Sequence, residues 1–519
     1  MRGPSRRLSA TSADTATGAR RPSRAYAAYA LGLLTLINVL NYTDRNVVFA
    51  LFEPIKRDLQ LSDAQLGWIG SAYIIVLSVM ALPLGVIGDL RSRRGVITFG
   101  VTLWSLATAA GGLVSRYWQL FVCRALVGVG EAGYMPASQA IVAEYYPGPS
   151  RAMAMGIYSV GMAFGGVLGI WLGGELALAF GWRYAFLLMG MPGLVLAVLA
   201  ARLREPDQRA PGPIGAALSA WYRKRLPRLL RLASPLVALT AIGALIGVVL
   251  TLVEEAPSQV DAAVFAVFLS AGIAWTVARL VPVALAQTAR AGRVAATALE
   301  EFLEATAIVL RTPTLIWIFI GGALVTFAVN GLIAWAPSFL QRVHGMSPVD
   351  VGRNFGLLAL AGGVLGALTG GRLADVMQAR WAGGRVFSTG VGFVLGGPVC
   401  TALLLVDRSA LFTALVFGTF FLYTWYNGPI TAVILDVVPA AVRSSVLGAF
   451  VLFSHLAGDA IAPPLVGYLS DRSDLRTAML ILPAAGVLGG LVILVALGTV
   501  RRDMLRIGRP ARGERRGAR

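Results

Sequence analysis

Long apolar runs constrain this chain more than any other feature of its sequence. Stretches of about 20 mainly apolar residues recur from near residue 26 to residue 500, and about 20 residues is the length at which a helix crosses a bilayer core. Of the 519 residues, 57% are hydrophobic and only 14% are charged, which does not fit a fully hydrated surface. The runs are continuous and rich in Gly and Ala, whereas barrel strands are about 10 residues long and alternate in polarity. An all-α polytopic membrane protein is therefore predicted.

The apolar runs form two groups of six. The predicted spans cover about 26–51, 64–89, 95–115, 117–145, 152–178, 183–203, 313–340, 350–375, 385–406, 410–438, 442–470 and 476–500. Two further runs between the groups, about 232–253 and 259–284, predict an inserted pair and fourteen spans in total. An amphipathic segment near 287–311 is expected to lie against the membrane.

These spans divide the chain into five parts. They are a basic tail (1–25), a six-helix bundle (26–204), a central linker with the inserted pair (205–312), a second six-helix bundle (313–500) and a second basic tail (501–519). Arginines cluster in both tails and in the loops after spans two, four and six, whereas the alternate loops carry mixed or weak charge. By the positive-inside rule, both termini are predicted to be cytoplasmic.

The arginines that produce the net charge of +19 are therefore expected to face lipid headgroups. Nucleic acid is not a predicted partner, because no groove-reading or aromatic module accompanies the arginines. Residues 1–25 lack an apolar core and a cleavage site, so the first span is expected to act as an uncleaved anchor. Arginine far outnumbers lysine, which favours a bacterial inner membrane. We expect a monomer whose partner is the bilayer. Cys123 and Cys400 have no metal or disulfide spacing, so no metal is predicted.

The two groups of spans carry an internal repeat. Residues 85–89 at the end of span two recur as residues 371–375 at the end of span eight, an offset of about 286 residues. A second correspondence joins Pro136, Glu144, Pro147 and Arg151 to Pro429, Asp436, Pro439 and Arg443. Duplicated halves around a central pathway are the architecture that rocks between two open states, with the substrate site near the midplane.

Ionisable residues inside spans are the first candidates for a functional site. Each costs about 2.5–3.5 kcal/mol to insert, so those retained mid-span are functional candidates by default. They are Asp44 and Arg45 in span one, Arg124 and Glu131 in span four, and His455 and Asp459 in span eleven.

Span four presents one chemically useful face. Arg124 and Glu131 are seven residues apart, hence on one helical face and about 10.5 Å apart along the axis. Gly128 between them is expected to leave that face open, and Tyr134 and Ser138 continue it towards the next turns. The guanidinium can bind a phosphate or carboxylate through two hydrogen bonds, and the carboxylate can exchange a proton.

Asp44 and Arg45 are adjacent, so their side chains diverge by about 100° and cannot make the same contact. We favour Asp44 with Arg124, and Arg45 with Glu131 or substrate. The reverse pairing and a purely structural ion cluster are the alternatives.

The second half has its own candidates for the cavity wall. His455 and Asp459 share a face and precede Pro463-Pro464, which should kink or end the helix. They can form a proton relay or a plain interhelical hydrogen bond. Further cavity candidates are Asn330, Trp335, Tyr423 and Asn427. A pocket that is charged on one side and apolar on the other suits an amphipathic anion, although such aromatic residues also serve in helix packing.

The element from Gly85 to Arg94 resembles the signature loop of the major facilitator superfamily, with Leu90 and Ser92 in place of the usual basic residue and second glycine. The resemblance implies a cytoplasmic gate built from Asp89 with Arg94 and from Glu144 with Arg151. The repeat adds counterparts in the second half: Asp375, Asp436 and Arg443.

Three segments are similar to the Spinster family of lysolipid transporters within that superfamily: residues 41–45 (NYTDR), 124–134 and 455–471. Residues 427–429, with Pro439 and Arg443, add a fourth. The likeness covers both six-span halves but neither the inserted pair nor the tails.

The Spinster resemblance implies a proton-coupled lysolipid carrier. It places Asp44 and Glu131 in proton coupling and Arg45 and Arg124 at the substrate headgroup, with no cofactor besides the coupling proton. The alternative within transport is a symporter or exporter of small organic anions, such as sugar acids or aromatic acids, or of drugs. Enzyme activity is not predicted, because no nucleophile with its base and no metal set is visible.

Overall fold

A computed structural model describes residues 23–90, 92–146, 150–204, 307–407, 410–439 and 442–507, with isolated positions between 231 and 275. The side chains of some of these residues, including 82–83 and 85–90, are outside the description. Every regular element in the described part is helical, so the predicted all-α class is confirmed.

The first half contains eight helices. They are α1 (Arg24–Ala50), α2 (Phe52–Leu59), α3 (Asp63–Leu90), α4 (Arg93–Gly111), α5 (Tyr117–Ala132), α6 (Tyr134–Tyr145), α7 (Ser150–Phe180) and α8 (Trp182–Ala201). The short helix α2 links the first two spans, and α5 and α6 together form the fourth span, with a break at Gly133.

The second half repeats this order. Its main helices are α9 (Pro313–His344), α10 (Gly356–Arg380), α11 (Gly384–Leu405), α12 (Ala410–Tyr423), α13 (Asn427–Asp436), α14 (Arg443–Ser454), α15 (Ala462–Ser470), α16 (Ile481–Val495) and α17 (Leu497–Ile507). Nine helical stretches among the described residues are long and apolar enough to span a membrane. The inserted pair at about 232–253 and 259–284, and most of the amphipathic segment, lie outside the described residues, so fourteen spans stays a prediction.

The eleventh span is interrupted in its middle. A π-helical turn at His455–Asp459 separates α14 from α15. Pro463 and Pro464 lie in the first turn of α15, where a missing N–H costs no helical hydrogen bond. The predicted break is present, but the helix resumes at the prolines and the irregular turn precedes them.

Glycine contacts bring the two halves together between α3 and α15. A Cβ at Gly67 would collide with the Pro463 carbonyl, and one at Gly467 would collide with the Asp63 carbonyl. Only glycine lets two helix backbones approach this closely. We call this end of the bundle, which contains α2, the closed end.

The internal repeat reappears in a second contact at the closed end. A Cβ at Gly352 would lie 2.5 Å from the Trp171 Cα, and one at Gly174 would lie 2.5 Å from the Pro348 carbonyl oxygen. Here α7 of the first half meets the start of the eighth span. The closed end is thus sealed by two glycine-mediated contacts at repeat-related positions.

Charged side chains reinforce the first of these contacts. Arg342 at the end of α9 donates to Glu53 at 2.7 Å and to both carboxylate oxygens of Asp63 at 2.6 and 2.7 Å. Lys56 lies 2.5 Å from Asp63. Glu53 and Asp63 are both buried, whereas the side chains of Arg342 and Lys56 are partly exposed, so the carboxylates that join the halves are shielded from water and their cations are not.

Asp471 caps a helix of the opposite half. Its carboxylate accepts the backbone N–H groups of Asp63 and Ala64 at 2.8 and 2.9 Å. These N–H groups belong to the first turn of α3 and have no partner within their own helix. A carboxylate at this position also interacts favourably with the helix dipole. The first turn of α3 is therefore complete only while the closed end stays closed.

The change Arg342→Gln should weaken the closed end, because Glu53 and Asp63 lose the cation that bridges them to the second half. We expect a longer distance population between spin labels at the exposed positions Arg57 and Ser473, measured by pulsed electron resonance in a background without Cys123 and Cys400. Arg476→Gln is the matched control, because its partner Asp407 belongs to the same half. An unchanged distribution in Arg342→Gln would show that the glycine contacts and the Asp471 cap hold the closed end without Arg342.

Candidate functional site

Four charged residues form two ion pairs in the middle of the first half. Arg45 Nε lies 2.6 Å from Glu131 Oε2, and Arg124 Nη1 lies 3.9 Å from Asp44 Oδ1. The pairing that the sequence favoured is the one present. Arg124, Asp44 and Glu131 are each almost completely buried, and the Arg45 side chain is 13% exposed.

The two pairs are not equally satisfied. Arg45–Glu131 is a close contact, whereas Arg124 donates to the Asp44 carbonyl at 3.4 Å and has no hydrogen-bond partner in the described structure for Nε and Nη2. One carboxylate oxygen each of Asp44 and Glu131 is also without a hydrogen bond. Unsatisfied buried polar atoms are costly. The cluster therefore keeps N–H donors and carboxylate oxygens available for a ligand or a proton.

Thr108 of α4 completes the Asp44 environment. Its hydroxyl donates to Asp44 Oδ2 at 2.7 Å, and the side chain is buried. Sequence reasoning missed this residue, because a threonine within an apolar span is common and carries no signal of its own. Only the packing of α4 against its neighbours brings it to the carboxylate.

Tyr73 of α3 is a second residue that the sequence did not reveal. Its ring centroid lies 5.2 Å from the Arg124 guanidinium carbon and 5.7 Å from that of Arg45. Both distances are within cation–π range. Arg45 also lies 4.7 Å from the Tyr42 ring. The two arginines thus lie against one aromatic side chain. In the sequence, the only sign of this role was a tyrosine in the middle of a span.

Gly128 has a different role from the predicted one. The face between Arg124 and Glu131 is not open at this position, because a Cβ on Gly128 would collide with the Tyr73 carbonyl. The absence of a side chain lets the α3 backbone pack against α5, which brings Tyr73 to the arginines. The spacing identified a special glycine, but the space beside it is filled by protein.

The second half contributes a smaller polar group. His455 Nδ1 lies 2.5 Å from Asp459 Oδ2, and Asn330 Nδ2 of α9 donates to Asp459 Oδ1 at 2.8 Å. The His455 side chain is 35% exposed and that of Asp459 only 5%, so the histidine is the accessible member. The structure contains both the His–carboxylate pair and an interhelical hydrogen bond, and it brings Asn330 to them.

Other cavity candidates of the second half lie elsewhere. Trp335 is fully buried, donates to the Pro463 carbonyl at 2.9 Å and packs against Phe52, so it belongs to the closed end. Tyr423 is buried and stacked on Phe393 at 4.9 Å. Neither lines an open cavity in this structure, because helix packing covers aromatic rings as readily as a cavity does. Asn427 is exposed.

In the first half, Tyr134 and Ser138 are also in helix packing. The Tyr134 hydroxyl donates to the Leu34 carbonyl at 2.5 Å, and its ring meets Trp104 edge-on. Ser138 is fully buried. The break at Gly133 separates α5 from α6, so these two residues do not continue the Arg124 face as a straight helix would place them.

The gate residues of the first half pair differently from the prediction. Glu144 contacts Arg93 at 2.5 Å, not Arg151, which is exposed at the start of α7. The N-terminus of α4 lies beside the end of α6 and brings Arg93 within reach. Arg94 donates to the Leu203 carbonyl at 3.3 Å. The predicted positions Gly85 and Asp89 lie among the side chains outside the description.

Arg385 organises the equivalent charges of the second half. It contacts Asp375 at 2.8 Å and Asp436 at 2.6 Å, whereas Arg443 donates to the Val438 carbonyl at 3.3 Å. Sequence reasoning named both aspartates but missed this arginine, which stands at the repeat position of Arg93. These contacts lie within one half, so they do not join the halves as the network at the closed end does.

The sequence model of the Major Facilitator Superfamily matches residues 34–458. The chain belongs to this superfamily. It is therefore a polytopic membrane transporter, and secondary transport is the activity that its membership supports.

Individual relatives show which members of the superfamily this chain resembles. An MFS-type efflux pump of Mycolicibacterium smegmatis (strain ATCC 700084 / mc(2)155) is 29% identical over 93% of this chain and 95% of the relative. Protein spinster of Drosophila melanogaster is 24% identical over 85% of this chain and 61% of its own length. A bacterial homologue of the human lysosomal transporter Spinster, solved in an inward-facing and occupied conformation, aligns with a TM-score of 0.69 at 22% identity, covering 93% of this chain and 99% of that one. The resemblance to Spinster proteins is confirmed.

The change Gly128→Ala should destabilise this superfamily member, because the added methyl group must push α3 away from α5. Overpacking of this kind costs about 1–3 kcal/mol. Gly156→Ala is the matched control, since a Cβ there meets nothing within 4 Å and alanine favours the helix. We expect a lower melting temperature in detergent for Gly128→Ala and an unchanged or higher one for Gly156→Ala. Equal melting temperatures would contradict the close contact.

Proposed function

We propose that the protein carries lysophospholipids, or a related amphipathic anionic lipid, across the bacterial inner membrane by alternating access coupled to protons. The observation that carries the proposal is the buried charge cluster in which two nitrogens of Arg124, Nε and Nη2, have no hydrogen-bond partner in the described structure. A guanidinium can donate two parallel hydrogen bonds to a phosphate. A buried arginine that is only partly satisfied by its own carboxylate suits such a ligand.

The asymmetry of the polar groups supports an amphipathic substrate. The first half provides two guanidinium groups, whereas the described second half offers His455, Asp459 and Asn330 within largely apolar helices. A headgroup phosphate can lie against the arginines while the acyl chain extends along apolar side chains. Binding a phosphate in place of water also compensates part of the cost of burying charge in the bilayer.

Exchange of partners at Arg45 gives a route to proton coupling. While Glu131 is ionised, it holds Arg45 at 2.6 Å. Protonation of Glu131 removes the charge that retains the guanidinium, which is then free to bind an anionic headgroup. Release of the headgroup lets Glu131 lose its proton and recover Arg45. Asp44 and Arg124 can work in the same way, and a more weakly held pair at 3.9 Å requires less energy to separate.

The orientation follows from the same proposal. With both termini in the cytoplasm, the closed end faces the periplasm, and the substrate site opens towards the cytoplasm. The Arg342 network and the Asp471 cap then separate when the site opens outward. We propose that a monomer does this, that the proton is the only coupling ion, and that the pairs around Glu144 and Asp436 belong to the cytoplasmic gate.

A second candidate function is the export of small organic anions or drugs. It is favoured by the 29% identity to a relative named as an MFS-type efflux pump. Membrane arginines serve such substrates as well. A wide cavity that opens laterally to lipid suits a lysolipid, whereas a small sealed polar pocket suits a small anion.

Glu131→Gln and Arg124→Ala should each strongly reduce lysolipid transport driven by a pH gradient. The first change removes the titratable group at constant shape, and the second removes the headgroup donor. A charged hydrogen bond contributes about 1.5–3 kcal/mol, so we expect flux to fall at least about tenfold. The measurement is uptake of radiolabelled lysophosphatidylglycerol into proteoliposomes, with inward, outward and no pH gradient.

The matched controls for this assay are Asp407→Asn and Arg476→Gln. Their exposed ion pair at 3.3 Å lies at the closed end of the second half, away from the charge cluster, so wild-type flux is expected. Absence of lysolipid flux in the wild-type protein would overturn the proposal. Uptake or export of small organic anions by the same proteoliposomes would then establish the second candidate.

A further inference from the structure

Two arginines that repel each other lie against the same tyrosine ring. The guanidinium carbons of Arg45 and Arg124 are 5.7 and 5.2 Å from the Tyr73 ring centroid. The ring is only 8% exposed, so water screens neither contact. Cation–π attraction is strongest in such desolvated surroundings. No sequence motif singled out Tyr73, and the roles argued above do not use it.

We infer that Tyr73 is the positioning residue that holds both guanidinium groups side by side as a clamp for one phosphate group. The inference rests on the proposed lysolipid function and deepens it by naming what sets the geometry of the headgroup site. Tyr73 acts through the two arginines and does not itself replace either of them.

The need for such a residue is greatest at Arg124. Its carboxylate partner Asp44 is 3.9 Å away, and two of its nitrogens are unpaired. A freely rotating arginine would turn towards Asp44 and pair with both carboxylate oxygens, which would leave fewer donors for a substrate. The negative face of the Tyr73 ring offers a competing attraction that does not consume N–H groups in hydrogen bonds. Arg124 thus stays charged, buried and available.

The ring itself is held in place by the helix packing. The Tyr73 carbonyl sits against Gly128, between the positions of Arg124 and Glu131 on α5. Tyr73 also belongs to an apolar cluster with Ile74, Ile75 and Ala460, the last of which follows Asp459 in the second half. Helix α3 also packs against α15 at the closed end. The same helix therefore carries both the Tyr73 ring and the contacts that close one end of the pathway.

A graded change of the ring tests this role without changing its shape. Tyr73→Phe keeps the aromatic face. Phenylalanine analogues with one, two or three fluorines at the same position progressively weaken the negative electrostatic potential of that face. We expect Tyr73→Phe to transport lysophosphatidylglycerol with a KM within twofold of the wild-type value. The KM should rise with each fluorine, by about tenfold in total, while kcat changes less than twofold.

The control for fluorination is Tyr117, which has similar burial and whose ring packs against Phe121. The same analogues at Tyr117 should leave KM unchanged. A flat KM series at Tyr73, or an equal rise at Tyr117, would overturn the inference while leaving the lysolipid function standing. A merely structural ring would lower the amount of active protein but would not change KM in proportion to fluorine number.

A second measurement tests, without any substrate, whether the Tyr73 ring holds Arg124. Thermal unfolding in detergent is compared for the trifluorinated ring and unmodified Phe at position 73, each with and without Arg124→Met. If the ring holds Arg124, fluorination should lower the melting temperature only while the arginine is present. Equal losses in both backgrounds would overturn the inference. If the wild-type protein carries no lysolipid, the proposed function fails, and this cycle still decides the role of Tyr73.

Discussion

The buried pairs of Arg45 with Glu131 and of Arg124 with Asp44 are the interaction on which the site depends. Removing one partner of a buried pair leaves an uncompensated charge and costs about 3–5 kcal/mol, so neither pair separates unless a proton or an anion replaces the lost partner. In the proposed mechanism, this energetic cost couples binding of the anion to transfer of the proton. The 2.6 Å and 3.9 Å separations show that the two pairs are held unequally, with the weaker one nearer to accepting a ligand.

Helix α3 connects this cluster to the rest of the transporter. Tyr73 on this helix lies against the two arginines. Near its N-terminus, the helix contacts the second half through Gly67, Arg342 and Asp471. The closed end combines two kinds of contact. Glycine brings backbones together at a distance that no other residue permits, and the carboxylate cap satisfies N–H groups that the helix cannot satisfy itself. Both contacts are lost when the halves separate.

The internal repeat explains which features come in pairs and which do not. The glycine contacts between α3 and α15 and between α7 and the eighth span occupy related positions, as do the Arg93–Glu144 and Arg385–Asp436 pairs. Among the described residues, the first half holds the two arginines of the central charge cluster, and the second half has a His–carboxylate pair instead. Duplication thus accounts for the paired contacts, whereas divergence between the halves accounts for a proposed site that is charged mainly on one side.

The sequence alone determined the all-α membrane class, the repeat and the four central charges, because span length, insertion cost and spacing on a helix are local properties. Its two groups of six spans stay a prediction. It also favoured the correct ion pairs. It did not determine that α3 fills the space beside Gly128, that Trp335 belongs to the closed end, or that Glu144 pairs with Arg93. Those outcomes, and the placement of Tyr73 against two arginines, depend on which helices lie side by side. Only the tertiary structure decides that, because apolar faces of many helices are interchangeable until their small residues select a neighbour.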